Sequence, residues 1–274
     1  MFTFLPLSLT NRFELGSTFS RYSYRLDRIN NYYLDDILIG ESRDEKLPAP
    51  SGFSVWSGSL AFVKDNSKFG IASPLQGNRI RLEVSKFLGD LDFHTFLVDF
   101  RKYQYVKPLS LAFRAYHFAR HGHHAENDRL SELFIGFPTL IRGYDNVIFT
   151  NRLNGDIDNG FTVNDLFGSR ILVGNFEVRL PLSGPKRLTL FESSMLFTEV
   201  TWFFDAGVAW ESGRKLFSSS SGTDTPEATP VYSMGWSLRI NLFGQMVLEP
   251  YYAIPFQRED IKTGTFGLNF WPGW

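Results

Sequence analysis

Two neighbouring stretches of this chain gather residue types with chemical potential. In the first, His121, His123 and His124 stand beside Glu126 and Asp128, and imidazole nitrogens with carboxylates suit a divalent transition metal. Adjacent histidines on a loop seldom converge without a scaffold, so a solvated loop is favoured and neither a metal nor any other cofactor is expected. In the second, Phe137-Pro-Thr-Leu-Ile-Arg-Gly-Tyr-Asp-Asn146 sets one arginine before a glycine and a tyrosine. Glycine takes φ > 0 without steric cost, so Gly143 lets the chain fold back sharply and present Arg142 on a constrained turn. A surface hairpin with an exposed arginine has the same local pattern, and only the surrounding segments distinguish the two.

Composition narrows the classes. With 28 Lys and Arg against 29 Asp and Glu in 274 residues, the net charge is −1, which gives no electrostatic case for nucleic acid. Cysteine is absent, which removes disulfides, thiolate metal sites and a cysteine nucleophile. No Gly-x-Ser-x-Gly elbow is present, so a lipid hydrolase using His94 or His117 is disfavoured and no enzyme is expected. The mean hydropathy of −0.15 and the lack of a long apolar run exclude a transmembrane helix, so any membrane crossing is by strands. Met1–Leu9 has no basic start and is broken by Pro6, a poor signal peptide.

The elements that must position Arg142 alternate with period two. Phe13, Leu15 and Phe19 face away from Arg12, Glu14 and Thr18; Ile80, Leu82 and Val84 from Arg79, Arg81 and Glu83; Phe96, Val98 and Phe100 from Asp99 and Arg101. Beyond a short strand at 130–137 and a long loop at 146–168, Phe176 and Val178 oppose Glu177 and Arg179, and Trp202 and Phe204 oppose Asp205 and Gly207. Alternating segments follow to Phe270. The residues at 35–50, 68–78 and 218–230 are rich in charge or turn formers and are expected as loops. About eleven strands are counted, with Trp, Tyr and Phe on the oily faces and Ser, Gly, Asn and paired charges on the polar ones.

A soluble sandwich or propeller would instead carry a dense Lys and Glu surface, and no propeller repeat is visible. The expected fold is therefore all-β, a transmembrane antiparallel β-barrel, because lipid offers backbone groups no partners and the sheet must close. An odd strand count predicts that further amino-terminal strands or a partner chain complete the barrel.

On three motifs the chain resembles the carboxy-terminal part of the Omp85 superfamily barrels, also called the bacterial surface antigen D15 family. Leu140-Ile-Arg-Gly-Tyr144 is similar to that family's Val-Arg-Gly-Phe/Tyr motif on a loop folded into the barrel; Phe203-Phe-Asp-Ala-Gly207 is similar to its Phe-x-Asp-x-Gly strand motif; Gly174–Leu182 is similar to the strand between them. The terminal Trp274 suits a barrel inserted by assembly machinery. The resemblance implies a bacterial outer-membrane protein of about sixteen strands in its complete form, with residues 1–274 as barrel and without the periplasmic domains common in the family. It further implies outer-membrane lipid and unfolded client polypeptides as partners, and a role in protein assembly or translocation or as the membrane barrel of a larger polypeptide.

An arginine folded into such a lumen needs a carboxylate, since an unpaired buried charge is costly. Arg142 is accordingly expected to pair with Asp205, Glu177 or both, with Gly143 and Tyr144 shaping the loop and Phe203 and Gly207 framing the aspartate. A passive porin is the alternative, in which Arg79, Arg81, Arg101, Arg114, Arg179 and Arg239 would favour anions.

Overall fold

The computed structural model describes residues 1–145, 161–214, 216, 228–258 and 263–272. From the amino end, β1 (Phe2–Pro6) and β2 (Asn11–Tyr22) pair antiparallel; a hairpin of β3 (Leu26–Leu34) and β4 (Ile37–Leu47) stands apart as its own sheet; β5 (Phe53–Asp65) then returns to pair with β2. A two-residue β6 (Lys68–Phe69) precedes β7 (Pro74–Gly89), β8 (Phe93–Val106) and β9 (Leu109–His121). Next, β10 (Leu133–Phe134) pairs with β11 (Phe167–Gly168) inside the long connection to β12 (Arg170–Gly184). After β13 (Phe191–Glu192) come β14 (Phe197–Trp210), β15 (Val231–Leu242), β16 (Met246–Pro255) and β17 (Thr265–Pro272).

Eleven of these strands follow one another in a single antiparallel path, β1-β2-β5-β7-β8-β9-β12-β14-β15-β16-β17, and among the described residues β1 and β17 are its two ends. The connections at one end of the strands are mostly short (7–10, 107–108, 243–245), with 185–196 the longest, and those at the other end are mostly long (23–52, 122–169, 211–230), with 90–92 the exception. Among the described residues no helix is long and apolar enough to cross a membrane.

Register fixes which face each residue takes. Asn175 stands opposite Asp205, which stands opposite Ser233, so all three share the inner face; Phe176, Phe204 and Met234 share the outer one. The outer face is apolar and exposed along the whole path: Leu15, Trp56, Leu82, Phe96, Phe176, Trp202 and Trp236 are all open, and Phe266 is 77% exposed. Each such side chain forgoes roughly 1.5–3 kcal/mol of burial if water is the solvent, whereas buried Glu, Asp, Arg, Ser and Thr line the inner face. This is the inverse of a soluble protein, and the solvent it matches is lipid.

Several elements differ from the sequence reading. Residues 35–50, expected as a loop, are mostly β4; the period-two pattern of 26–39 was masked by apolar residues on both faces of the hairpin, and Asp35 and Asp36 take the positive φ of its tight turn. Only Leu133–Phe134 of the expected strand at 130–137 pairs. The expected loop at 68–78 contributes β6 and the start of β7, and the poor signal-peptide stretch forms β1. The loops expected at 146–168 and 218–230 fall largely outside the described residues, as does Trp274.

Candidate functional site

The connection from β9 to β12 dips inside the curved sheet, and apolar burial draws it there. Phe134, Ile135, Ile141, Tyr144, Phe161 and Leu166 from this connection pack with Ile171, Val173, Ala209 and Val231 from the inner face of β12, β14 and β15. Leu140 and Ile141 donate their backbone N–H groups to the Phe137 carbonyl at 2.7 and 2.9 Å, closing a tight turn just before the arginine. Gly143 has φ +92°, and a Cβ there would lie 3.1 Å from Ala253 Cβ, so the backbone conformation and the close approach to β16 both call for glycine. Buried Tyr144 donates its hydroxyl to Gln257 Oε1 at 2.6 Å, and the Gly143 carbonyl accepts from Arg258 at 3.2 Å.

This turn delivers Arg142 to the inner face of the next strands, where it is 4% exposed. Its Nε and Nη2 reach Asp205 Oδ2 and Oδ1, both at 2.8 Å, a two-pronged contact that matches the guanidinium fork, while the Arg142 backbone N–H donates to Oδ2 at 3.2 Å. Nη2 also lies 3.0 Å from Glu177 Oε1, and Nη1 lies 3.4 Å from Glu249 Oε1. Beneath the guanidinium, the Phe203 ring centroid is 3.5 Å away, which adds a cation–π contact in a desolvated setting.

Phe203, Asp205 and Gly207 are successive inward residues of β14, and each meets one part of the inserted turn. The ring supports the guanidinium, the carboxylate grips it, and the glycine admits Ile141, whose Cδ1 sits 2.4 Å from where a Gly207 Cβ would be. Asn175 holds the aspartate from β12, its Nδ2 donating to Asp205 Oδ1 at 2.8 Å and to the Leu140 carbonyl at 2.7 Å.

Sequence reasoning missed how far the charged cluster extends. Arg239 on β15 donates to both oxygens of Glu177 at 3.0 and 2.9 Å and to Glu249 at 3.1 Å, and lies 3.5 Å from Glu199. Arg179 donates to Glu177 Oε2 at 2.8 Å, and Ser237 donates to Glu249 Oε1 at 2.8 Å. Three arginines (142, 179, 239) thus interlock with four carboxylates (Glu177, Glu199, Asp205, Glu249), all less than a tenth exposed. Removing one member strands its partners as uncompensated buried charge.

The Omp85 superfamily domain matches residues 2–273 of the chain, essentially its whole length. This chain belongs to the Omp85 superfamily. Its fold is similar to that of BamA from Haemophilus ducreyi lacking POTRA domains 1–3, with a TM-score of 0.61 at 14% identity over 98% of this chain; the chain spans about half (52%) of that BamA chain. No curated relative matches the sequence. It is thus an Omp85-type β-barrel protein of the bacterial outer membrane.

The other inward arginines of this Omp85 barrel are also engaged. Arg81 bridges Glu14 and Glu83, both at 2.7 Å; Arg101 and Arg114 share Asp99; Arg114 donates to the Thr139 carbonyl; Arg79 lies 3.8 Å from Asp65. Such pairing cancels the anion-attracting field on which a porin reading depends. In the histidine stretch the His123 and His124 rings meet edge to face at 4.6 Å, His124 Nδ1 accepts the Asp92 backbone N–H, and Glu126 accepts from the Ser169 and Ser212 hydroxyls, both at 2.6 Å. Burial raises the Glu126 carboxyl pKa, but those hydrogen bonds outweigh it and hold the group below its ordinary value. Among the described residues no three metal-ligating side chains gather. His94 stacks on His121 and His117 on Trp210, with His117 Nδ1 2.9 Å from the Ile171 carbonyl.

Proposed function

We propose that this chain is the barrel unit, residues 1–274, of an Omp85 protein that assembles or translocates polypeptides at the outer membrane. The reading rests above all on the seated arginine turn: Arg142 held by Asp205, Glu177 and Glu249, with Gly143 and Tyr144 fixing its approach. A buried charge network that immobilises an inserted loop costs desolvation, and a mere wall of the membrane has no need of it. A loop so fixed sets the shape of the interior and the spacing of the strands it bridges, the property on which handling an unfolded client depends.

The partners on this reading are outer-membrane lipid against the apolar outer face and unfolded client polypeptides near the ends of the sheet. β1 and β17 carry open hydrogen-bonding edges among the described residues, which further strands of the same polypeptide or of a partner chain would pair. The test is reconstitution of the protein in lipid vesicles with an unfolded β-barrel client. Faster client insertion than in empty vesicles, lost with Arg142→Ala, supports the reading. Unchanged insertion by the intact protein would assign the barrel to anchoring or display instead.

A further inference from the structure

A second segment enters the same interior from the opposite end, the end of the short connections. After Asp65 the chain turns inward; β6 pairs back on the start of β7, and Gly70 donates to the Ser73 carbonyl at 2.9 Å. Ile71, Ala72 and Ser73 of the connection and Leu75 at the start of β7 are all buried, although the charge and turn residues around them mark a surface loop. A Cβ on Gly70 would lie 2.4 Å from Leu75 Cγ, so Leu75 folds over the glycine and tightens the tip.

The tip is fastened to strands far from its own. The Ile71 carbonyl accepts from Asn241 Nδ2 on β15 at 2.6 Å, five strands along the path from β7. Ser73 Oγ contacts both Glu199 oxygens on β14 at 2.7 and 2.9 Å, the Pro74 carbonyl accepts from Arg179 on β12 at 3.1 Å, and the Leu75 carbonyl accepts from Ser110 on β9 at 3.1 Å. Ile71 packs against Gly184, where a Cβ would come within 3.2 Å of it. Glu199 and Arg179 are members of the cluster that holds Arg142, joined to it through Arg239 and Glu177. One cavity of ≈ 100 Å³ has Ser73 and Pro74 on one wall and Thr139 and Arg142 on another.

We propose that residues 70–75 are a second plug, closing the interior from the short-connection end, and that the shared charge cluster couples its release to that of the Arg142 turn. Both inserts draw on Glu177 and Arg239: freeing Arg142 removes a cation from Glu177 and Glu249, Arg239 shifts toward them, and its hold on Glu199, the anchor of Ser73, weakens. The proposal deepens the functional reading by adding an obstruction that passage through the interior must displace. Its test needs no client and so stands or falls separately.

The natural absence of cysteine allows a single reporter thiol. Ala72→Cys in the folded protein in detergent micelles should react with a water-soluble maleimide at least about 100-fold more slowly than Ser194→Cys on an exposed connection, because reaction awaits local opening. Adding Glu199→Gln or Arg142→Ala should speed Ala72→Cys labelling at least about tenfold and leave Ser194→Cys unchanged. If Ala72→Cys does not fold, hydrogen exchange on the unsubstituted protein replaces it, with amides of 69–76 protected and that protection lost in Glu199→Gln. Labelling of Ala72→Cys as fast as Ser194→Cys, or unprotected amides, overturns the plug; a plug indifferent to Arg142→Ala in a variant with native circular dichroism overturns the coupling.

Discussion

Ile141 fills the space that a side chain at Gly207 would take: the isoleucine Cδ1 lies 2.4 Å from where a Gly207 Cβ would be. The arginine turn and the β14 motif are therefore matched by shape as well as by charge. Gly207→Ala must displace the Ile141 δ-methyl within the apolar cluster at the long-loop end. The expected cost is about 1–3 kcal/mol of stability, read as a lower urea midpoint, and shortening the other partner with Ile141→Val in the same chain should recover part of it.

Gly143→Ala probes the backbone rather than the packing. At φ +92° and 3.1 Å from Ala253, a methyl group meets both a disfavoured conformation and a neighbour, with an expected cost of roughly 1–2 kcal/mol or more. Equal stability of Gly143→Ala and the parent in urea titrations would contradict the close docking of this turn on β16.

Arg239 is expected to be as critical as Arg142 although it lies on no recognised motif. Arg239→Ala leaves Glu177, Glu199 and Glu249 short of a cation, at an expected cost of about 3–5 kcal/mol. Arg239→Lys should recover only part, because one ammonium cannot reproduce a fork that reaches three carboxylates. The ordering parent, lysine, alanine in urea midpoint is the check.

The fold and the motif residues were legible because period two needs no knowledge of register: Asp205 and Glu177 read as inward from their own strands alone. Pairing across strands is different. That Glu177 meets Arg239, or Glu199 meets Ser73, depends on the stagger of β12, β14 and β15 and on a connection reaching across the interior to a strand four along the path from β7, and no local pattern encodes either. The β3–β4 hairpin was missed for a simpler reason: with Tyr32, Leu34 and Ile37 on one face as exposed as Tyr33 and Leu38 on the other, it has no buried face to impose alternation.

The outward face yields a prediction of opposite sign to that for a soluble protein. Exposed Trp202 and Phe204 lie on the outer side of β14, and alternative substitutions can be compared there. Phe204→Lys should destabilise the reconstituted protein by about 2–4 kcal/mol if it sits near the bilayer midplane, whereas a water-facing position would tolerate it. Denaturant titration in lipid vesicles measures the difference.

Charge exchange between the arginine turn and β14 tests the central claim most directly. Arg142→Glu should leave little folded barrel in the membrane fraction, scored by heat-modifiable migration in gels, because the new carboxylate then faces Asp205, Glu177 and Glu249 in one buried site. Adding Asp205→Arg to that variant should restore a substantial part of it, since the pair is re-formed across the same gap. A fully assembled and active Arg142→Glu single variant, or a double variant no better than the single one, would contradict an arginine held in the interior by this carboxylate.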